Sequence, residues 1–204
     1  MKRKWKLWMI AFVLFVMTDI MMQSNRAEAK KRTFTVSSKT IPCSSSYRQK
    51  PYYNKKTKQY YMINSYMRRL STTGGTLKLK KGTYKIPGTI YVPSNVKIVC
   101  ANGVKIKKTK ATGTKKVKST KFLFQMISEE KASGKQNTGK YAASKNASIQ
   151  GNGKVIFDMG NVNGATAVFV GHASGITVSG VRFRNKKGGS YIWIEGSKNI
   201  SVRQ

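Results

Sequence analysis

Carboxylate side chains, which act as acids, bases and metal ligands in many enzymes, are scarce in this sequence. Beyond residue 29 the acidic residues are Glu129, Glu130, Asp158 and Glu195. Glycoside hydrolysis needs two carboxyl groups flanking one bond, and calcium-dependent elimination needs several oxygen ligands around one cation. Asp158 and Glu195 each follow a predicted strand, on different sides of the fold. Glu129 and Glu130 open a predicted loop over 128–145. We therefore expect no carboxylate pair, and the sequence favours a noncatalytic protein.

The other residues with reactive side chains are one histidine and two cysteines. His172 lies in the segment Gly171-His172-Ala173 between two predicted strands, which indicates a turn residue rather than a catalytic base. Cys43 and Cys100 can form one disulfide in an exported chain. Alternatively Cys100, which ends an apolar strand, is a buried thiol. No spacing of these residues suits a metal ion, so we expect no cofactor.

One set of side chains favours binding rather than catalysis. Tyr191, Trp193 and Glu195 alternate with apolar residues and are predicted to point outward. A repeat offset of 24 residues places Phe169 beside Trp193, about 4.8 Å away in the next strand. Aromatic rings beside arginines can stack on a sugar ring and hold its acidic groups; the alternative is that a loop or a further coil covers these rings. The candidate carbohydrate-binding residues are Phe169, Arg182, Arg184, Tyr191, Trp193 and Glu195.

The element that must position these residues is a short repeated strand. Each copy has a Ser, then Asn or Gly, then alternating apolar residues, and the turn residue recurs after 51, 29 and 24 positions. If the first interval spans two coils, the period is about 24 to 29 residues, typical of stacked repeats. Asn and Gly enter a left-handed corner most readily, so the pattern predicts a parallel β-helix. The copies are 94–98, 144–149, 174–178 and 197–202.

Other short runs support the same all-β fold. They alternate with period two and are separated by Gly, Pro or Asn, as expected for strands that stack coil upon coil. Tyr60, Ile63, Tyr66, Met67 and Leu70 instead recur at helical spacing, and Gly74-Gly75 follows as a stop signal. We predict a short N-terminal helix that caps the first coil. The predicted strands are 76–79, 89–92, 104–106, 122–124, 155–157, 168–170, 181–183 and 192–194.

Two stretches resemble the first coils of the pectin lyase-like superfamily of right-handed β-helices. They are residues 74–86, with a Gly-Thr-Tyr turn, and residues 90–98, with a Pro-Ser-Asn-Val corner. The resemblance covers 57–204 and is closest to secreted bacterial β-helix proteins of undefined activity. The Asn-Thr-Asp, Asp-Asp and Gly-His-Gly motifs of the polygalacturonase-like hydrolases are absent. If the chain is an enzyme, the resemblance implies a pectate lyase-like polysaccharide lyase with an arginine base. Ca²⁺ is expected as a cofactor only in that case.

The first 29 residues have the features of a signal peptide. A basic start precedes the apolar run 7–17, and Ala27-Glu28-Ala29 is a small-x-small cleavage site. The alternative is an uncleaved membrane anchor, because 20–22 lengthens the apolar stretch. We therefore predict a signal peptide over 1–29, a basic segment over 30–56 and the β-helix over 57–204, in a secreted or wall-associated protein.

Positive charge dominates the remaining chain. Five of the 40 basic and two of the six acidic residues lie in the first 29, which leaves 35 against four and a net charge of +31. Such a field attracts polyanions and makes their binding depend on salt. For an exported protein the candidates are acidic polysaccharide and teichoic acid. A third alternative is nucleic acid such as extracellular DNA, although the sequence contains no recognised nucleic-acid module and export disfavours it. The alternative is that the lysines only solvate the strands and protect their edges.

The end of the sequence lacks a visible cap. The last predicted strand stops at Arg203-Gln204, whereas the preceding coil continues past its equivalent strand. An open β-helix end exposes apolar side chains and unpaired backbone groups. We therefore expect a solenoid truncated relative to a longer protein; the alternative is a small domain that covers this end by self-association.

Overall fold

The computed structural model describes residues 32–49, 52–134 and 139–204. The predicted signal peptide over 1–29 lies outside these ranges. The described chain is mostly β structure, with two α-helices, α1 (Lys58–Leu70) and α2 (Glu129–Ser133), and one 3₁₀ turn (Ser45–Arg48). Neither helix is long and apolar enough to cross a lipid bilayer.

Fourteen strands in the described ranges form three sheets, and every strand pair is parallel. Sheet A has the order β1-β2-β5-β8-β11-β14, sheet B β3-β6-β9-β12 and sheet C β4-β7-β10-β13. From β2 onward, successive strands belong to sheets A, B and C in turn, which fits the predicted parallel β-helix. The strands are β1 (Arg32–Val36), β2 (Gly75–Leu79), β3 (Gly82–Ile86), β4 (Ile90–Tyr91), β5 (Val96–Cys100), β6 (Val104–Lys108), β7 (Phe122–Gln125), β8 (Ser148–Gly151), β9 (Ile156–Asp158), β10 (Thr166–Gly171), β11 (Ser174–Ser179), β12 (Arg182–Arg184), β13 (Ile192–Glu195) and β14 (Lys198–Arg203).

The repeated Asn or Gly forms the corner that precedes sheet A, as predicted. Asn95, Asn146, Gly175 and Asn199 have φ angles of 60°, 52°, 64° and 55°, in the left-handed region that these residues enter at least cost. The 24-residue offset is also confirmed, because Val168 pairs with Ile192 and Val178 with Val202.

The interval of 51 residues is one coil, not two, so the assumed period is wrong at this point. β5 pairs directly with β8, with Lys97 opposite Ser148. The coil is lengthened by two insertions, the segment 109–121 and the segment 126–147 that contains α2. Glu129 and Glu130, assigned from the sequence to a loop, lie in the first turn of α2, where the Ser128 side chain accepts a hydrogen bond from the Lys131 amide.

The core is a set of inward-pointing columns from all three sheets, because every second residue of a strand points to the same face. Phe157 is fully buried, and its ring lies 5.1 Å from Phe124 and 5.8 Å from Phe183 between ring centroids. The columns in register are Leu77–Ile98–Ile149–Val178–Val202 in sheet A, Tyr84–Ile106–Phe157–Phe183 in sheet B and Ile90–Phe124–Val168–Ile192 in sheet C.

The sheets begin earlier in the chain than the sequence indicated. β1 pairs with β2, with Phe34 opposite Leu77, so residues assigned to a separate segment over 30–56 extend sheet A. The predicted helix is present as α1. It buries an apolar stripe that contains Met62, Ile63 and Met67.

Two amide side chains of α1 bind backbone groups of β3 and β4, the outermost strands of sheets B and C. Asn64 donates from Nδ2 to the Thr89 carbonyl oxygen (3.0 Å) and accepts at Oδ1 from the Tyr91 amide (3.1 Å). Gln59 donates to the Thr83 carbonyl oxygen and accepts from the Lys85 amide at 2.6 Å. These side chains therefore hydrogen-bond to edge backbone groups that would otherwise pair with a neighbouring strand.

We expect Asn64→Leu to lower the free energy of unfolding by about 1–3 kcal/mol, since it leaves two edge groups without partners in a buried place. Urea unfolding measures the loss. The matched control is Gln59→Leu, which removes the same kind of contact at a less buried position and should cost less. An Asn64→Leu protein as stable as the wild type would contradict this role of the amide.

The last coil exposes more apolar surface than the coils before it. Ile194 and Val202 are 47% and 50% exposed, whereas Val170 and Val178, their partners in the preceding coil, are buried. β12, β13 and β14 are the outermost strands of their sheets at this end.

Candidate polyanion-binding surface

Most of the charged residues on the outward face of sheet B are Lys and Arg. Two columns of four residues point outward, one on either side of the inward column Tyr84–Ile106–Phe157–Phe183. The columns are Thr83–Lys105–Ile156–Arg182 and Lys85–Lys107–Asp158–Arg184. Five of these eight positions are cationic, and we call them the basic face: Lys85, Lys105, Lys107, Arg182 and Arg184.

The other two sheets are less basic. On sheet C the outward column Tyr91–Gln125–Phe169–Trp193 holds no cation. On sheet A two outward columns of six residues hold three cations: Thr33–Thr76–Lys97–Ser148–Thr177–Ser201 and Thr35–Lys78–Val99–Gln150–Ser179–Arg203. The strand surface is therefore polarised, with its positive charge concentrated on sheet B.

The connections from sheet B to sheet C add further positive charge beside this face. The long segment 109–121 leaves β6, and the segment 185–191 leaves β12. Both segments are rich in lysine, and all seven of these lysines are solvent-exposed. The lysines of the two segments are Lys110, Lys115, Lys116, Lys118, Lys121, Lys186 and Lys187.

Asp158 lies within the basic face but is only 2% exposed. Its Oδ2 is 2.7 Å from Lys105 Nζ, and its Oδ1 accepts from the Asn185 side chain and the Gly160 amide, both at 2.9 Å. Burial by itself raises the pKa of this carboxyl, but the hydrogen bonds from Lys105, Asn185 and Gly160 outweigh it and lower the pKa. Asp158 therefore holds Lys105 in place, and within the described ranges the other four cations form no ion pair.

Two of the predicted binding residues meet on sheet C. Phe169 pairs with Trp193, and their rings lie 5.2 Å apart between centroids. The Phe122 ring stacks on Phe169 at 4.6 Å, which extends the row to three aromatic rings. Trp193 is 47% exposed at the end of this row.

The remaining predicted binding residues do not join that row. Arg182 and Arg184 lie on sheet B, whereas Phe169 and Trp193 lie on sheet C. Tyr191 stacks on Phe183 at 5.3 Å and packs against the core instead of pointing outward. Glu195 is exposed at the end of β13. The predicted combination of aromatic rings and arginines is therefore not assembled, and the two arginines belong to the basic face.

Sequence reasoning missed Lys85 and Lys107 as members of a functional surface. The signal that could have found them is the alternation Thr-Tyr-Lys-Ile in β3 and Val-Lys-Ile-Lys in β6, which puts lysine on one face of two consecutive B strands. The same alternation places Lys105 on this outward face.

The described residues hold no group of three or more His, Cys, Asp and Glu close enough to bind a metal ion. Cys43 and Cys100 are both free thiols, so no disulfide joins the N-terminal segment to β5. His172 has a φ of 51° between β10 and β11, which confirms its prediction as a turn residue.

No protein-family model and no curated protein matches the chain. Among solved structures it is similar to the surface adhesin PfbA of Streptococcus pneumoniae, with 15% identity and a TM-score of 0.49. The similar region covers 72% of this chain and 33% of the adhesin, so the chain spans about a third of that protein's length. At this level the likeness supports no argument about function.

Proposed function

We propose that the chain is an exported protein that associates noncatalytically with acidic polysaccharide at the cell surface, through the basic face. The observation that carries the proposal is the placement of five cations on eight outward positions of sheet B. In this proposal the fold is a right-handed β-helix related to the pectin lyase-like superfamily. α1 caps its first coil through Asn64 and Gln59.

The spacing of the cations suits a linear polyanion. Neighbouring parallel strands lie about 4.8 Å apart, and alternate residues of a strand about 6.6 Å apart. These separations are shorter than the Debye length of about 8 Å at physiological salt, so the cations repel one another. A chain with a negative group on each sugar relieves that repulsion along the whole face. Teichoic acid offers the same regular charge and is a second source of this chemistry.

The test compares two variants of equal net charge. The first replaces two lysines and two arginines of the basic face with glutamine; Lys105 is kept because Asp158 needs it. The control replaces two lysines and two arginines of sheet A. The two sets are Lys85, Lys107, Arg182 and Arg184, and Arg32, Lys78, Lys97 and Arg203.

We expect the basic-face variant to bind immobilised polygalacturonate at least about tenfold more weakly than the wild type, because contacts at a charged surface add along the polymer. The control variant should keep most of the affinity. Wild-type binding should fall steeply with added salt. Equal losses in both variants would mean that net charge, not the basic face, attracts the polymer. Equal binding to a neutral glucan would contradict the proposal, and tighter binding to DNA at matched salt would redirect it to nucleic acid.

A further inference from the structure

A separate cavity lies away from the basic face, between the 3₁₀ turn, α1 and α2. Its volume is about 240 Å³, and it shares no residue with the basic face. Tyr47 comes from the 3₁₀ turn, Tyr61 and Arg68 from α1, and Glu129 from α2. Tyr52, which is 42% exposed, completes the wall. α2 therefore meets the 3₁₀ turn and α1 at one opening, although Glu129 lies 82 residues after Tyr47 in the sequence.

The polar groups of this cavity are held in fixed positions. Tyr47 donates from its hydroxyl to Glu129 Oε2 at 2.6 Å. Burial, and next the hydrogen bond to Glu129, raise the pKa of Tyr47, so its phenol stays protonated and continues to donate. Arg68 lies beside the Tyr47 hydroxyl, and its Nε is 3.5 Å from Glu130 Oε1. The Tyr47 and Tyr61 rings meet edge-on at 6.3 Å.

Among the described residues, the lining of this cavity holds one carboxylate, Glu129, and one guanidinium, Arg68, so it lacks the excess positive charge of the protein as a whole. Glu129 and Glu130 are two of only four acidic residues beyond residue 29. Their carboxylates offset the positive charge of Arg68, so an anionic ligand gains nothing here. Arg68 in the same lining disfavours an organic cation. The ligand that suits this cavity is therefore an uncharged polar ring. Its hydroxyl groups need a hydrogen-bond acceptor and a donor, and its apolar face needs an aromatic wall.

We propose that this cavity binds one neutral pyranose ring, with Tyr52 and Tyr61 as the aromatic walls, Glu129 as the acceptor and Arg68 as the donor. A volume of about 240 Å³ is below that of pockets for drug-sized ligands, about 300 Å³ and more, and suits a single sugar unit. The site does not rest on the proposed function of the basic face, because its ligand carries no charge.

The test uses the full chain and two probes, methyl β-glucoside and the methyl β-glycoside of N-acetylglucosamine, at 0.5 M NaCl. Saturation-transfer NMR and a titration of the tyrosine resonances measure binding. We expect at least one probe to bind, with no dependence on salt. Glu129→Gln should weaken it by about tenfold, the effect of losing a charged hydrogen-bond acceptor. Tyr52→Ala should abolish the transfer signal.

The control is Tyr141→Ala, which removes a tyrosine of similar exposure outside the cavity and should leave binding unchanged. Tyr52 is exposed, so its replacement does not put folding at risk. The inference is overturned if neither glycoside binds, or if binding survives both cavity variants. The basic-face variant should bind the glycosides like the wild type, so a failure of the polyanion proposal and a failure of this one are distinguishable.

Discussion

Phe157→Ala is expected to lower the free energy of unfolding by about 3–5 kcal/mol, the usual cost of removing a buried phenylalanine ring from a core that cannot collapse around the cavity. Phe157 is fully buried between Ile106 and Phe183 in the inward column of sheet B. Its ring also stacks against Phe124 of sheet C, so it joins two sheets as well as three coils. Denaturant unfolding followed by circular dichroism measures the loss.

The matched control for this substitution is Phe169→Ala. Phe169 takes part in an aromatic row of similar spacing, but on the outward side of sheet C, where it is only half-buried. Because water already reaches the ring, less apolar surface is lost and no closed cavity forms. We expect less than half of the Phe157→Ala effect. Equal losses would mean that the outward row, rather than the inward column, holds the coils together.

The corners and the registers of this fold were predictable because they depend on local physics. Asn and Gly enter the left-handed conformation of a sharp turn at least cost, so Asn146 and Asn199 mark their corners in the sequence. The length of the second coil was not predictable in the same way. Insertions such as 109–121 leave the coil and return to it, so the distance along the chain no longer counts coils. Strand β1 was missed because Arg32–Val36 lacks the corner residue that marks the repeats.

The candidate surface shows the same division between local and global information. The sequence indicates correctly that Phe169 meets Trp193, because both occupy the same position of one repeat. It does not indicate that Arg184, only nine residues before Trp193, faces a different side of the solenoid. Proximity along the chain suggested a shared site, whereas the corner after β12 separates the two. The basic face appears only when residues 22 to 51 positions apart are placed in one column.

Lys108 is a buried cation that no sequence pattern revealed. It follows the alternation of β6 into the interior, where it pairs with Ile86 and is 0% exposed. Its ammonium donates to the carbonyl oxygens of Pro87 (3.0 Å), Gly88 (2.8 Å) and Phe122 (2.8 Å), and lies 3.2 Å from the Thr120 hydroxyl. The side chain therefore ties the connection after β3 to both ends of the insertion 109–121. Burial lowers the pKa of Lys108 to about 7.

This lowered pKa makes the stability of the wild type depend on pH. Between about pH 7 and the ordinary lysine value of about 10.4, the unfolded chain holds a proton that the folded chain has released, so stability rises with pH. The slope from this one group approaches about 1.4 kcal/mol per pH unit. The four oxygen acceptors favour the ammonium and oppose the shift, so the window opens at pH 7 or slightly above. Lys108→Met fills the same space without a titrating group and should lack this slope.

We therefore expect the free energy of unfolding of the wild type, minus that of Lys108→Met, to increase between pH 7 and pH 10. The other lysines titrate in both proteins, and the subtraction removes their contribution. Urea unfolding at half-unit pH steps gives the difference directly. Near pH 7 the difference in the free energy of unfolding is smallest, because each protein carries a cost. The wild type still buries a desolvated charge, and Lys108→Met leaves the three carbonyl groups without their donor. Parallel pH profiles would show that the oxygen acceptors compensate fully for burial and that Lys108 remains charged throughout the window.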